Sequence, residues 1–233
     1  MGREFKACCE RRYKKEISLR ATLLYGSTRL VAPSGESLFL AKNDFMMDTA
    51  ALSAADVVLM CTNAFREFAL MTPLDQQRMF KSFVGCFYLL ESNYLTQVNF
   101  PGSDRYYMTS PTTVLDLEDL ESALTGIEEN RQEFLRLAKY YADKSFGLTR
   151  PAIREADLTE TEFNAAMCLT IWGSDLTSSF PESAIELGYG IKSRVYEELN
   201  WYYKYDLKCE DFATRLCRLM MVIHTVQVFI DNI

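Results

Sequence analysis

Between residues 57 and 68 the apolar side chains Val57, Cys61, Ala64, Phe65 and Phe68 recur at three- and four-residue intervals, which predicts a helix with one apolar face. After a short break the pattern changes. Met79, Phe80, Phe83, Val84, Phe87, Tyr88, Leu89 and Leu90 leave no polar face beyond the first turn, so this second helix must be enclosed by others. The break itself reads as a helix start: Thr72 offers a hydroxyl at the N-cap, Pro73 takes the first helical position, and Asp75 stands three residues from the cap. Two similar sets, Ser53 to Asp56 and Thr159 to Glu162, predict the start of the first long helix and of one carrying Trp172.

Further along, Val98 and Phe100 lead through Pro101, Gly102, Ser103 and Asp104 into Tyr106, Tyr107 and Met108, a pattern that predicts a short hairpin. Residues 116–144 predict one long helix, or two joined near Gly126, and another helix runs from about Pro181 to Tyr203. In the last helix Phe212, Leu216, Leu219, Ile223, Val226 and Ile230 step by four and three. Such a seam packs either on the chain's own core or on a second subunit, and periodicity alone does not separate the two. Residues 26–36, with Gly26, Pro33, Ser34 and Gly35, read as a hinge or loop.

Composition narrows the class. With 233 residues, 48% of them hydrophobic and 15 Phe and 13 Tyr among them, the chain is long enough for a single domain with a large core. No run of 18 uncharged apolar residues occurs, and Gly2-Arg3-Glu4 opens no signal core, so neither a membrane span nor export is expected. A net charge of -7 argues against a nucleic-acid surface. That charge is uneven: residues 1–20 hold seven basic side chains against three glutamates, +4 locally, which leaves -11 for the rest. Residues 1–36 are therefore expected to form a basic tail and hinge, solvated or serving nuclear import, and 37–233 the folded domain.

Candidate chemistry is sparse. The seven cysteines, at 8, 9, 61, 86, 168, 209 and 217, form no C-x-x-C and suit reduced thiols packed as small hydrophobes. His224 is the single histidine, which excludes HExxH and a Ser-His-Asp set without it; a packed helical residue is its plainer role. Gly188-Tyr189-Gly190-Ile191-Lys192-Ser193 has neither the spacing of a phosphate loop nor a preceding strand. No enzyme, cofactor or metal site is expected.

The stretch from residue 65 to 91, FREFALMTPLDQQRMFKSFVGCFYLLE, resembles the helix 3 to helix 5 signature of nuclear receptor ligand-binding domains, with Phe68, Asp75, Gln76, Met79, Phe80 and Lys81 in the signature places. Its wording is closest to the expanded nematode-type branch. Tyr94, Thr96, Gly102-Ser103-Asp104, Ile171-Trp172, Tyr202-Tyr203 and Phe212 to Leu216 continue the likeness over roughly residues 45 to 231. Phe5 to Arg12 faintly echoes the family's zinc-module wording, yet scattered cysteines cannot assemble two four-cysteine sites, so no DNA-binding module is expected here.

The resemblance implies an all-α, three-layer antiparallel helical sandwich with one small β-hairpin, acting in transcription regulation in the nucleus through a hydrophobic ligand and coregulator or receptor partners. By the same likeness Met60, Cys61, Ala64, Phe65, Phe83, Phe87, Met220, Met221 and His224 would surround an apolar cavity. Bulky aromatics filling that space completely is the alternative. Asn63, Gln76 and Lys81 would line the groove for coregulator helices, and Phe212, Leu216, Leu219 and Ile223 a homo- or heterodimer interface. Arg215 and Glu91 match an arginine and a glutamate that could form a buried pair. With the last helix expected to reach about Asp231, the family's terminal activation helix is not expected within these residues, whether the chain is complete or a fragment whose tail carries it. The competing reading is a ligand-free dimerisation module that competes with full-length receptors.

Overall fold

The computed structural model describes residues 1–23, 28–124, 129–173, 180 and 182–232, and for residues 23, 146 and 183 the backbone alone. Gly26, Gly126 and Pro181, where a hinge, a helix joint and a helix start were expected, lie outside the described residues. The chain is dominated by helices: α1 (Gly2–Leu23), α2 (Asn43–Ala64), α3 (Arg66–Ala69), α4 (Pro73–Asn99), α5 (Leu120–Ala123), α6 (Arg131–Ala156), α7 (Glu160–Gly173), α8 (Glu182–Trp201) and α9 (Phe212–Asp231). Four short strands, β1 (Arg29–Val31), β2 (Ser37–Leu40), β3 (Tyr106–Met108) and β4 (Thr113–Asp116), form one sheet in the order β1-β2-β4-β3. Two compact units emerge, the first from residues 1–4, 61–90 and 151–233, the second from 5–60 and 91–150.

In the first unit α4 behaves as its composition demands. Met79, Phe83 and Phe87 are fully buried, and the ring of Phe83 meets Phe80 and Phe87 at centroid separations of 5.6 and 6.4 Å with edge-on geometry. Gly85 admits α9 closely, since a Cβ there would lie 3.3 Å from Ile230 Cδ1. Phe163, Met167, Ile171 and Trp172 make α7 apolar and enclosed. Past α8 a turn of π-helix, Tyr202–Asp206, buries Tyr203 and brings Tyr202 Oη to donate to Thr159 Oγ1 at 3.1 Å. By length and mean hydropathy (1.3) α9 would suffice to cross a membrane. Its buried stripe of Leu219, Val222, Val226 and Phe229 nevertheless belongs to this unit's core.

The second unit departs from expectation in three places. Residues 2–23 form a helix in place of a solvated tail, and its buried stripe is Phe5, Cys8, Arg12, Glu16 and Arg20. Arg12 reaches Glu91 (Nη1 to Oε1, 2.5 Å) and Ser53; Arg11 and Lys15 pair with Asp56; Glu16 accepts from Ser110 and Thr112. Arg20 stacks on Phe39 and Phe45 at 4.4 and 3.6 Å. Secondly, Ser53 to Asp56 caps nothing, because α2 begins ten residues earlier at Asn43 and these polar side chains serve α1 instead. Thirdly, α4 stays helical through Asn99, so Val98 belongs to no strand. The hairpin joins β3 to β4, with Tyr106 opposite Asp116, and β4 also pairs in parallel with β2. Ala32, Leu38, Phe100, Met108 and Val114 pack beneath this sheet. Its outer edge at β3 is closed by side chains: Met108 N donates to Thr96 Oγ1 at 2.9 Å and Arg150 Nη1 to the Tyr106 carbonyl at 3.2 Å.

Candidate functional site

The turn joining α3 to α4 sits in the first unit and is built from local chemistry. Phe65 takes extended backbone angles (φ -127°, ψ 108°), which ends α2 and turns its ring edge-on to Trp172 at 5.5 Å. Phe68 is fully buried. Thr72 then restarts the helix: Asp75 N donates to Thr72 Oγ1 at 3.2 Å, and that hydroxyl donates to Asp75 Oδ2 at 2.7 Å. One turn on, Gln76 Nε2 donates to the Phe68 carbonyl at 2.9 Å, tying the first turn of α4 to α3. From α8, Arg194 Nη2 donates to Glu67 Oε1 at 2.7 Å. The Glu67 carboxyl lies below its ordinary range, first through its own backbone N–H and then through Arg194. The turn is thus fixed by three polar ties around one enclosed phenylalanine, while Leu70 and Leu74 stay 75% and 55% exposed beside it.

Asn63, in the last turn of α2, and Lys81, on α4, are both exposed, and Gln76 is half-buried between its solvent edge and Phe68. Leu74, Gln77 and Lys81 share one exposed face of α4, an apolar side chain and a cation at helical spacing.

The residues expected around a cavity divide. Cys61, Phe83 and Phe87 are fully buried, Phe65 nearly so, and Ala64 and Met220 are half-buried, with Tyr196 Oη donating to Met220 Sδ at 3.6 Å. Met60 is also fully buried, in the second unit. Met221 (52% exposed) and His224 lie on the solvent side of α9, opposite its buried stripe, so neither stands where an enclosed wall would need it. Two clefts of the first unit, about 300 and 620 Å³, are lined by other side chains: Asn164, Cys168 and Glu198 in the first, Glu67, Glu186 and Arg194 in the second.

Along α9 the expected seam is displaced. Leu219 is buried, Leu216 and Ile223 are half-buried, and Phe212 is 47% exposed. The observed stripe shares only Leu219 and Val226 with the heptad, because the helix is turned about its axis toward Val222 and Phe229. Within its own unit Glu91 takes Arg12, and Arg215 has a partner on α7. Arg215 forks onto Glu162 (Nε to Oε1 2.6 Å, Nη2 to Oε2 2.7 Å) and also donates to the Asp157 carbonyl. Glu162 is at the same time the capping carboxylate of α7, accepting from Thr159 N at 2.8 Å. One side chain therefore closes a helix start and anchors α9. Nothing in the local sequence pairs residue 162 with 215.

Burial pushes the Glu162 carboxyl upward, but the hydrogen bonds from Arg215 and Thr159 overcome it and hold the group below its ordinary value of 4.5. A depressed folded pKa contributes stability that is present above the unfolded value and lost as pH falls through the folded one. The thermal midpoint of the wild type should therefore fall more steeply below about pH 4.5 than that of Glu162→Gln, which keeps the cap's reach without the charge. Parallel slopes in a pH series of melts would reject the assignment.

Among the described residues no group of three or more His, Cys, Asp or Glu side chains is placed to hold a metal ion. Comparison with curated proteins finds no match. A family model described as the ligand-binding domain of nuclear hormone receptor matches residues 46–233, from the first turns of α2 to the end of α9, and so takes in the whole α3–α4 turn. The helix-dominated fold, the capped turn around Phe68 and that match agree: the chain belongs to the nuclear hormone receptor ligand-binding domain family.

Proposed function

We propose that this receptor-type domain works in transcription regulation in the nucleus, docking a short amphipathic coregulator helix on the surface of α4 and responding to a small hydrophobic ligand. The α3–α4 turn carries this reading. Its backbone is pinned by Thr72, Gln76 and Phe68, and beside it an exposed face of α4 runs from the apolar Leu74 past Gln77 to Lys81. A docked helix would lay leucines on Leu74 and bring its C-terminal carbonyls to the Lys81 ammonium, where the helix dipole is negative. Asn63 and Gln76 add polar contacts at the rim. For a ligand, Cys61, Phe65, Phe83 and Phe87, packed together in the first unit, would have to part to form an apolar lining. The family is generally non-enzymatic, and no catalytic role is proposed for any residue.

Fluorescence anisotropy with a labelled leucine-rich amphipathic peptide tests the docking surface. Lys81→Glu should weaken binding at least about tenfold, about 1.4 kcal/mol, with the thermal midpoint unchanged. A wild-type domain that binds no such peptide, or a variant that binds as well, would sink this reading.

The ligand-free dimerisation module has one observation in its favour, the edge-to-face chain Phe80, Phe83, Phe87 and Tyr88 together with Phe65 against Trp172, which fills space with rings. Solvent extraction and mass spectrometry of the purified protein separate the two. A stoichiometric lipid supports the ligand reading; its absence together with a concentration-dependent dimer supports the other.

A further inference from the structure

The second unit holds a cleft of about 420 Å³ between α1, the β1–β2 turn and the last turns of α4. We propose that this cleft binds a small cationic amphiphile, an apolar body carrying one amine. It shares no lining residue with the aromatic set of the first unit and does not depend on the receptor reading.

Three observations carry the proposal. The volume lies in the range of small-molecule sites, and the lining is chiefly apolar: Tyr13, Leu38, Leu95, Val98 and Pro111, of which Tyr13 and Val98 are left exposed. The walls are also set in advance. Ala32 N donates to the Glu36 carbonyl and Gly35 N to that of Ala32, a tight turn that needs the positive φ of Gly35 (90°). Ser34 Oγ donates to Asn99 Oδ1 at 2.7 Å, while Asn99 Nδ2 donates to the Leu95 carbonyl, joining the turn to α4. On the opposite wall α1 is held by Arg12 on Glu91 and by Arg11 and Lys15 on Asp56. None of these ties uses a rim charge, so a ligand breaks none of them on entry.

Charge selects the occupant. The rim carries Glu10, Glu36 and Lys14. Lys14 follows Glu10 by four residues on α1, the spacing at which the two offset each other, and Glu36 remains. A carboxylate ligand would meet net negative charge there, whereas an ammonium would be drawn to it; the neighbouring cations Arg11, Arg12 and Lys15 of α1 are already paired with Asp56 and Glu91. Cys9, also on the wall, adds neither charge nor a nucleophile: burial first, and then the Glu91 carboxylate, push its thiol far up, so it contributes a soft neutral surface.

Saturation-transfer NMR on the full chain with n-decylamine, 1-decanol and decanoate, each below its micelle concentration, tests this. Decylamine should bind at least about fivefold tighter than decanoate, roughly 1 kcal/mol, with decanol between them. Val98→Trp, which fills the cleft from an exposed position, should abolish decylamine binding without shifting the melt. Glu36→Lys, on an exposed turn that any basic side chain tolerates, should reverse the order of amine and carboxylate. Equal binding of decanoate, undiminished binding to Val98→Trp, or no binding of any of the three overturns the proposal. So does a doubled mass in light scattering that Val98→Trp abolishes, since a second copy would then occupy the cleft.

Discussion

Replacing Arg12 by alanine should lower the unfolding free energy by roughly 3–5 kcal/mol, the cost of leaving a buried carboxylate without its cation. Arg12 is 2% exposed and Glu91 1%. Their 2.5 Å contact is supported by Arg12 Nε on Ser53 Oγ at 3.2 Å, and the neighbouring Cys9 thiol, 3.9 Å from Glu91, is a poor substitute donor. The pair itself is a different matter from its broken half. Taking both charges out of water is expensive, so Arg12→Met combined with Glu91→Leu should recover most of the loss. Urea denaturation of the wild type, Arg12→Met, Glu91→Leu and the double variant gives the cycle, and a coupling energy of about 2 kcal/mol or more is expected for groups in direct contact. An Arg12→Ala loss under about 1 kcal/mol would mean that Glu91 reaches water and that α1 is only loosely seated.

Phe83→Ala should cost about 3–5 kcal/mol, comparable in size but different in kind. Its ring is fully buried between Phe80 and Phe87, and truncation opens a space that Phe87 is not free to fill, because that ring is itself held edge-on by Tyr88. Leu74→Ala, on the exposed face of the same helix, should stay within about 0.5 kcal/mol. The contrast is informative, since the two positions lie on one helix and differ mainly in enclosure. Equal effects in urea melts would place Phe83 at a surface and undo the reading of α4 as an enclosed helix.

These two experiments fall on either side of what could be read in advance. Phe83 was legible because an apolar run longer than one helical face admits only burial. Arg12 was not. A charge at every turn of α1 looks like a solvated tail, and only when Glu91 from α4, Asp56 from α2 and the hydroxyls of Ser110 and Thr112 arrive does burying that stripe become favourable. The candidate surface shows the same division. Lys81, Gln76 and Phe68 followed from the order of residues in one short segment. The exposure of Met221 and His224 depended on how α9 is rotated against its neighbours, which a repeat of threes and fours does not fix.

Local chemistry settled the helix starts at Thr72 and Thr159, the enclosed run after Pro73 and the family to which the chain belongs, because a cap or an apolar face is complete within a few residues. Tertiary structure alone decided that Ser53 and Asp56 receive α1 and cap nothing, that Arg215 holds Glu162, and that β4 pairs with β2 as well as β3. Each of those partners is distant along the chain, and the free energy that selects it appears only when folding removes both groups from water together.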